Sequence, residues 1–132
     1  MKRKPLFITL CIILVSCSTG QGVGEDSVKR ELYSTRRAIA DHGSDVAFLR
    51  DKRVGQSGYF YIINKQGIVV FHPNQILIGR NFSEFDFTAR IIEKEEGVLH
   101  YGREGMMYRV YFVPLDGDEI LCLSIPENEI KS

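Results

Sequence analysis

Residues 58–74, GYFYIINKQGIVVFHPN, contain two runs of aromatic and β-branched side chains separated by a short polar break. Residues of these types are enriched in β-strands. The break, residues 64–67, has the composition of a turn and ends in a glycine suited to a positive φ. The stretch therefore predicts a hairpin of strands 59–64 and 68–72. The second strand ends before Pro73, which has no N–H to donate to a neighbouring strand.

Upstream of the hairpin, a stripe of mainly apolar side chains recurs at alternating steps of four and three residues. Its members are Val28, Leu32, Thr35, Ile39, His42, Val46 and Leu49. This spacing places them on one face of a helix and predicts a single long helix over residues 26–50. Gly43 interrupts the pattern and is a candidate position for a bend or a break, because glycine disfavours helix.

Downstream, residues 83–96 have the pattern of a second helix. Ser83 and Asp86 stand in the relation of an N-cap residue and its partner three positions on. Gly97 is placed to end this helix in the left-handed conformation. Three further strands are predicted at residues 98–101, 106–115 and 119–125, joined by turns that contain glycine.

This order of elements predicts the α+β class. We expect an antiparallel sheet of about five strands, with a long N-terminal helix and a second helix between strands two and three. The chain has 132 residues, which suits one domain. Its 17 basic and 17 acidic residues balance, so the charge does not favour nucleic-acid binding.

The first residues have the pattern of a secretory signal. Three basic residues precede the apolar run LFITLCIILV, which is too short to span a bilayer as a helix. The sequence Leu14-Val15-Ser16-Cys17, where this run ends, resembles the lipobox of bacterial lipoproteins. The resemblance implies cleavage before Cys17 and acyl chains, such as palmitate, on that residue. A plain signal peptide or a single membrane anchor are the alternatives.

On this reading, residues 1–16 are a lipoprotein signal peptide, residues 17–25 a flexible tether and residues 26–132 a single domain. The mature chain would be extracytoplasmic and anchored by lipid to the cell membrane or the outer membrane, facing the periplasm. Cys122 would then have no cysteine to pair with inside the domain. Its apolar neighbours predict a buried, unreactive thiol.

The stretch GQSGYFYIINKQGIVVFHPNQILIGRNF, residues 55–82, resembles the signature of Cache domains, the PAS-like extracytoplasmic sensor modules of bacterial receptors. The positions that carry the resemblance are Gly55, Gly58, Tyr59, Asn64, Gly67, His72, Pro73, Gly79 and Asn81. It extends over about residues 26–130 and implies a PAS-like sheet and the binding of a small molecule. No second apolar run follows, so the resemblance implies ligand binding here rather than signalling across the membrane by this chain.

Arg109 is the one charged residue in the apolar strand 106–115, and alternation puts Tyr111 on its face. A charged side chain in such a strand is rarely buried without a partner. Arg109 could pair with an internal acid, project at an edge, or hold a ligand carboxylate by its two-pronged guanidinium.

Four further residues are candidates for a pocket wall: Tyr59, Tyr61, His72 and Tyr101. A tyrosine offers a wall both apolar area and one hydroxyl. Packing in the core with the hydroxyl toward water is the alternative for each tyrosine. His72 could instead hold the end of its strand through a backbone contact.

Other kinds of site find no support in the sequence. His42, His72 and His100 lack the spacing of metal ligands. The motifs of phosphate-binding loops and of serine hydrolases are absent. We therefore expect no catalytic residues, no metal and no cofactor, and hence no enzyme.

Two functional hypotheses follow. In the first, a lipid-anchored sensor-type domain binds a small organic ligand such as an amino acid, a carboxylate or a purine. In the second, the same fold has a filled interior, and the N-terminal helix contacts a receptor or a second copy of the chain. An open cavity lined by Arg109 and the tyrosines would favour the first hypothesis.

Overall fold

The computed structural model describes residues 22–43 and 45–131. The predicted signal peptide, Cys17 and most of the predicted tether lie outside these residues. Eight strands lie within this part of the chain: β1 Val23–Gly24, β2 Arg53–Val54, β3 Gly58–Asn64, β4 Val69–Phe71, β5 Gly97–Arg103, β6 Met106–Pro114, β7 Glu119–Pro126 and β8 Ile130–Lys131. The helices are α1 Glu25–His42 and α2 Asp86–Lys94, and short 3₁₀ turns cover Ala47–Leu49, Gln75–Leu77 and Glu127–Glu129.

The strands form an antiparallel sheet in the order β2-β3-β7-β6-β5, with β4 also paired to β3. The α+β fold predicted from the sequence is therefore confirmed, and β3 to β7 are the five predicted strands. Two-residue strands carry too few positions to show alternation, so β1, β2 and β8 were not predicted. β1 and β8 pair in parallel, with Val23 opposite Ile130 and Gly24 opposite Lys131.

The N-terminal helix is shorter than predicted, because α1 ends at His42 and not at residue 50. Gly43 follows with a φ of 67°, a conformation that glycine adopts without steric cost. Leu49, from the predicted stripe, still reaches the core through a 3₁₀ turn and is fully buried. The start also differs, since Val23 and Gly24 form a strand where a tether was predicted.

The second helix is also shorter than the predicted range 83–96. It begins at Asp86, and Phe85 occupies the N-cap position without a side-chain hydrogen bond. The prediction of a Ser83 cap was wrong, because Ser83 belongs to a turn in which its N–H donates to Asn81 Oδ1 at 2.8 Å. Glu95, not Gly97, takes the left-handed conformation at the helix end, and Gly97 begins β5.

The two faces of the sheet bury separate apolar clusters. On the α1 face, side chains of α1 pack on Phe60, Ile62, Tyr111, Val113, Leu121 and Leu123. On the α2 face, Ile91 of α2 packs with Tyr61, Ile63, Leu99, Val110, Phe112 and Cys122. Alternation along β6 and β7 thus sends neighbouring residues to opposite clusters, as period-two geometry requires.

None of the helices in the described part of the chain is both long and apolar enough to cross a membrane.

Candidate functional site

The sheet divides the six candidate site residues between its two faces. Tyr61, with Tyr59 and Tyr101 packed against its cluster, lies on the α2 face, and the His72 ring contacts both Tyr59 and Tyr61. Tyr111 is part of the α1-face core. Arg109 precedes it by two positions on the same strand and hydrogen-bonds to its hydroxyl, so it shares that side. The structure therefore does not bring Arg109 and Tyr111 into one cavity with the other four residues.

Arg109 instead joins a network of the protein's own acids. Its Nη1 lies 3.4 Å from Glu25 Oε2 at the start of α1, and its Nη2 lies 3.8 Å from Glu127 Oε2. Nη1 also donates to the Tyr111 hydroxyl at 3.2 Å, and that hydroxyl donates to Glu25 Oε2 at 3.1 Å. Of the three alternatives that the sequence left open for Arg109, the structure shows the pairing with an internal acid. The network ties α1 to the sheet.

Tyr59, Tyr61 and His72 form a compact group of rings on the α2 face. The His72 ring lies 5.1 Å from the Tyr59 ring and 5.6 Å from the Tyr61 ring, measured between centroids. His72 Nδ1 accepts a hydrogen bond from the Asn74 N–H at 3.0 Å, which is a backbone contact at the strand end. Burial, with a smaller contribution from the Arg103 guanidinium, lowers the pKa of His72 to about 4. The imidazole is therefore neutral at pH 7 and presents an apolar ring with one N–H.

A row of stacked rings continues along the same face. Phe87 stacks on Tyr101 at 4.5 Å, and Tyr101 stacks on Tyr108 at 5.4 Å between centroids. The Tyr101 hydroxyl lies 2.7 Å from Oγ of Ser124, which is fully buried in β7. Burial raises the pKa of Tyr101 to about 12, so this phenol stays protonated and can donate a hydrogen bond. We call the following residues the aromatic cluster: Tyr59, Tyr61, His72, Phe87, Tyr101 and Tyr108.

The cation beside the aromatic cluster is Arg103, which the sequence did not suggest as a site residue. Its guanidinium carbon lies 4.8 Å from the centroid of the Tyr108 ring, a cation–π arrangement. Among the described residues, no carboxylate lies within ion-pairing distance of Arg103, whereas Arg109 has two. Alternation in β5 could have identified Arg103 as a site residue, since Leu99, Tyr101 and Arg103 are two positions apart and share a face. The pattern was not recognised, because the residues around Arg103 have the composition of a turn.

Ser124 was missed for a different reason. It is a small polar residue in the apolar run of β7, two positions after Cys122, and was overlooked among its neighbours. Alternation assigns both residues to the α2 face, which is where the structure has them. The prediction that Cys122 is buried and unpaired is confirmed, and its burial raises the thiol pKa. Such a thiol is a poor nucleophile.

The chemistry available at the aromatic cluster is that of binding. It combines flat apolar rings, hydroxyl groups and one arginine that has no acidic partner among the described residues. Within the described part of the chain, no group of three or more histidine, cysteine, aspartate or glutamate side chains is placed to hold a metal ion.

Comparisons by sequence gave no match, either to a protein-family model or to a curated protein. Comparison by structure gave several matches. A methyl-accepting chemotaxis protein from Vibrio parahaemolyticus aligns with a TM-score of 0.61 and 23% identity, covering 76% of this chain and 89% of that one. A Cache chemosensory domain studied for carboxylic acid recognition aligns with a TM-score of 0.54 and 16% identity, over 76% of this chain and 87% of that one.

Two other similar structures are much longer than this chain. The extracellular domain of a protein described as a histidine kinase, mmHK1S-Z2, aligns with a TM-score of 0.55 and 25% identity over 67% of this chain. The present chain spans 37% of that domain, and 32% of the ligand-binding domain of Mlp24, which was solved with asparagine.

Proposed function

Because the described residues adopt the fold of Cache sensor domains, we propose that this protein binds a small organic acid on the α2 face of its sheet. The observation that carries the proposal is the position of Arg103, whose guanidinium stands over the aromatic cluster without a carboxylate partner among the described residues. A ligand carboxylate could pair with both of its terminal nitrogens.

The aromatic cluster would supply the rest of the site. Tyr101 and the neutral His72 can each donate a hydrogen bond to a ligand, while the rings cover its apolar part. The similar Cache domain studied for carboxylic acid recognition supports this chemical class. Amino acids are included in the class, since they also carry a carboxylate.

The test is a ligand screen on the full chain, followed by one matched pair of variants. Thermal melts with carboxylates, amino acids and purines should identify a carboxylate that raises the melting temperature. Arg103→Gln should then weaken its binding by about tenfold to a hundredfold, since a charge-assisted hydrogen bond contributes roughly 1.5–3 kcal/mol. Arg50→Gln is the control, because Arg50 is also exposed but lies outside the aromatic cluster.

Two results would count against the proposal. If no carboxylate shifts the melting temperature, the close ring contacts of the aromatic cluster would instead indicate a filled interior and an interaction role. If Arg103→Gln binds the ligand as tightly as the unaltered chain, the carboxylate is held elsewhere.

We also propose that the domain is held at a membrane surface through lipid on Cys17. The support is the sequence Leu14-Val15-Ser16-Cys17 at the end of an apolar run. The similar structures are described as periplasmic or extracellular sensor domains, which fits a location outside the cytoplasm. Mass spectrometry of the membrane fraction should find a mature chain that begins at Cys17 and carries acyl mass. Cys17→Ala should abolish both the cleavage and the acyl mass.

A further inference from the structure

Two adjacent methionines project from the tip of the β5–β6 hairpin. Met106 and Met107 are 41% and 51% exposed, although methionine is usually buried. The turn that presents them, Glu104-Gly105, has positive φ at both residues, which fixes a tight tip.

The hairpin tip lies at the end of the domain where the described chain begins. One cleft is lined by Gly22 and Val23 from the start of the chain and by Met106 and Tyr108 from β6. A second, adjoining cleft is lined by both methionines together with Glu127 and Asn128. The tip and the start of the domain are therefore neighbours.

The length of chain between Cys17 and Gly22 limits how far this end can stand from an anchor. Five residues span at most about 18 Å even when fully extended. If Cys17 carries lipid, as proposed above, Gly22 stays within that distance of the membrane interface. The opposite end of β6, Pro114, is eight residues from Met106 (114 minus 106) and lies about 27 Å further along the strand.

We propose that the Met106–Met107 tip contacts the lipid surface of the membrane to which Cys17 anchors the chain. Flexible, unbranched methionine side chains adapt to an irregular apolar environment. Arg103, opposite Met106 in the β5–β6 register, flanks the tip together with Glu104 and Glu127. These charges nearly cancel, so the contact would depend on apolar insertion and not on attraction to anionic lipid. The inference rests on the proposed lipidation but not on the proposed ligand.

The chain contains no tryptophan, so one introduced tryptophan reports on its own position without background. Met107→Trp places the reporter at the tip. Asp116→Trp is the matched control, in the exposed turn that follows the opposite end of β6. Each full-length variant is purified from membranes, checked for acyl mass on Cys17 and reconstituted into phosphatidylcholine vesicles with acyl chains brominated near the headgroup.

Bromine quenches tryptophan only at close range, so the tip reporter should lose at least half of its fluorescence and the control less than a tenth. Acylated protein whose Met107→Trp reporter is unquenched, or is quenched no more than the control, overturns the tip contact and leaves the lipid anchor standing. Absence of acyl mass overturns both. Met106→Trp provides a second reporter if Met107→Trp does not melt cooperatively.

Discussion

The two faces of the sheet are built from the same strands but differ in what they bury. The α1 face holds mostly aliphatic side chains, and its one arginine is neutralised by Glu25 and Glu127. The α2 face holds the aromatic cluster, a buried serine hydroxyl and a buried thiol, with Arg103 left without an acidic partner among the described residues. The first face pairs its arginine with the protein's own acids, although Arg109 Nε and Thr35 Oγ1 are buried there without a hydrogen-bond partner among the described residues. The second face leaves Arg103 without an acidic partner among the described residues. This difference distinguishes Arg109, which is paired with the protein's own acids, from Arg103, the proposed binding residue.

The largest effect is expected from a core truncation on the α1 face. Leu121→Ala removes a fully buried side chain from β7 and should lower the free energy of unfolding by about 2–5 kcal/mol. The fraction that remains folded should bind its ligand with unchanged affinity, because Leu121 points away from the aromatic cluster. Chemical denaturation and calorimetric titration measure the two quantities. Val70→Ala, at a 36% exposed position, should cost less than about 0.5 kcal/mol. Weakened ligand binding by folded Leu121→Ala would show that the two faces are not independent.

The next effect concerns pH and the α2 face. The folded pKa of His72 is about 4, below its ordinary value of 6.5, so the unfolded chain binds more protons between these two pH values. The free energy of unfolding should therefore fall as the pH drops from 6.5 to 4. His72→Gln should reduce the difference in stability between pH 7 and pH 4 by about 1–3 kcal/mol. Denaturant melts at both pH values measure it. An unchanged pH dependence in His72→Gln would mean that the imidazole is not held neutral by its surroundings.

The smallest effect separates the two arginines. Arg109→Met should lower the free energy of unfolding by about 1–2 kcal/mol, because it removes the donor to the Tyr111 hydroxyl and one of the two donors to Glu25 Oε2. It should leave the ligand-induced shift in melting temperature unchanged. Arg103→Met should change the free energy of unfolding little and should reduce the ligand-induced shift in melting temperature. Thermal melts of both variants with and without ligand decide between them. The opposite pattern would return Arg109 to the binding site.

The sheet could be predicted from the sequence because strands β3 to β7 lie in runs rich in aromatic and β-branched residues, and glycine-containing turns separate β3 from β4, β5 from β6 and β6 from β7. Helix ends were harder to place. In α1 the apolar stripe continues past Gly43, because a 3₁₀ turn brings Leu49 to the same core without helix continuity. A spacing pattern reports which side chains are buried, and it does not report the backbone conformation that buries them.

The site was predicted only in part, for a related reason. Alternation correctly grouped Tyr59 with Tyr61 and Arg109 with Tyr111. It could not say which face α1 covers, because that depends on how the chain packs over the sheet. Once α1 covers the face of Tyr111, Glu25 reaches Arg109, and Arg103 in β5 is the arginine without an acidic partner among the described residues. The sequence did not reveal which acid pairs with Arg109, because Glu25 is 84 positions away.

The parallel pairing of β1 with β8 also governs when the domain can be completed during synthesis. Val23 and Ile130 are 107 positions apart (130 minus 23), so this pair closes nearly the whole described chain into a ring. Contacts of such long sequence separation form late, because the chain must first lose the entropy of closing the loop. As the polypeptide emerges from a ribosome or an export channel, β1, which leads into α1, has no strand partner until β8 has emerged. The end of the domain nearest the proposed anchor is therefore the last part to be assembled.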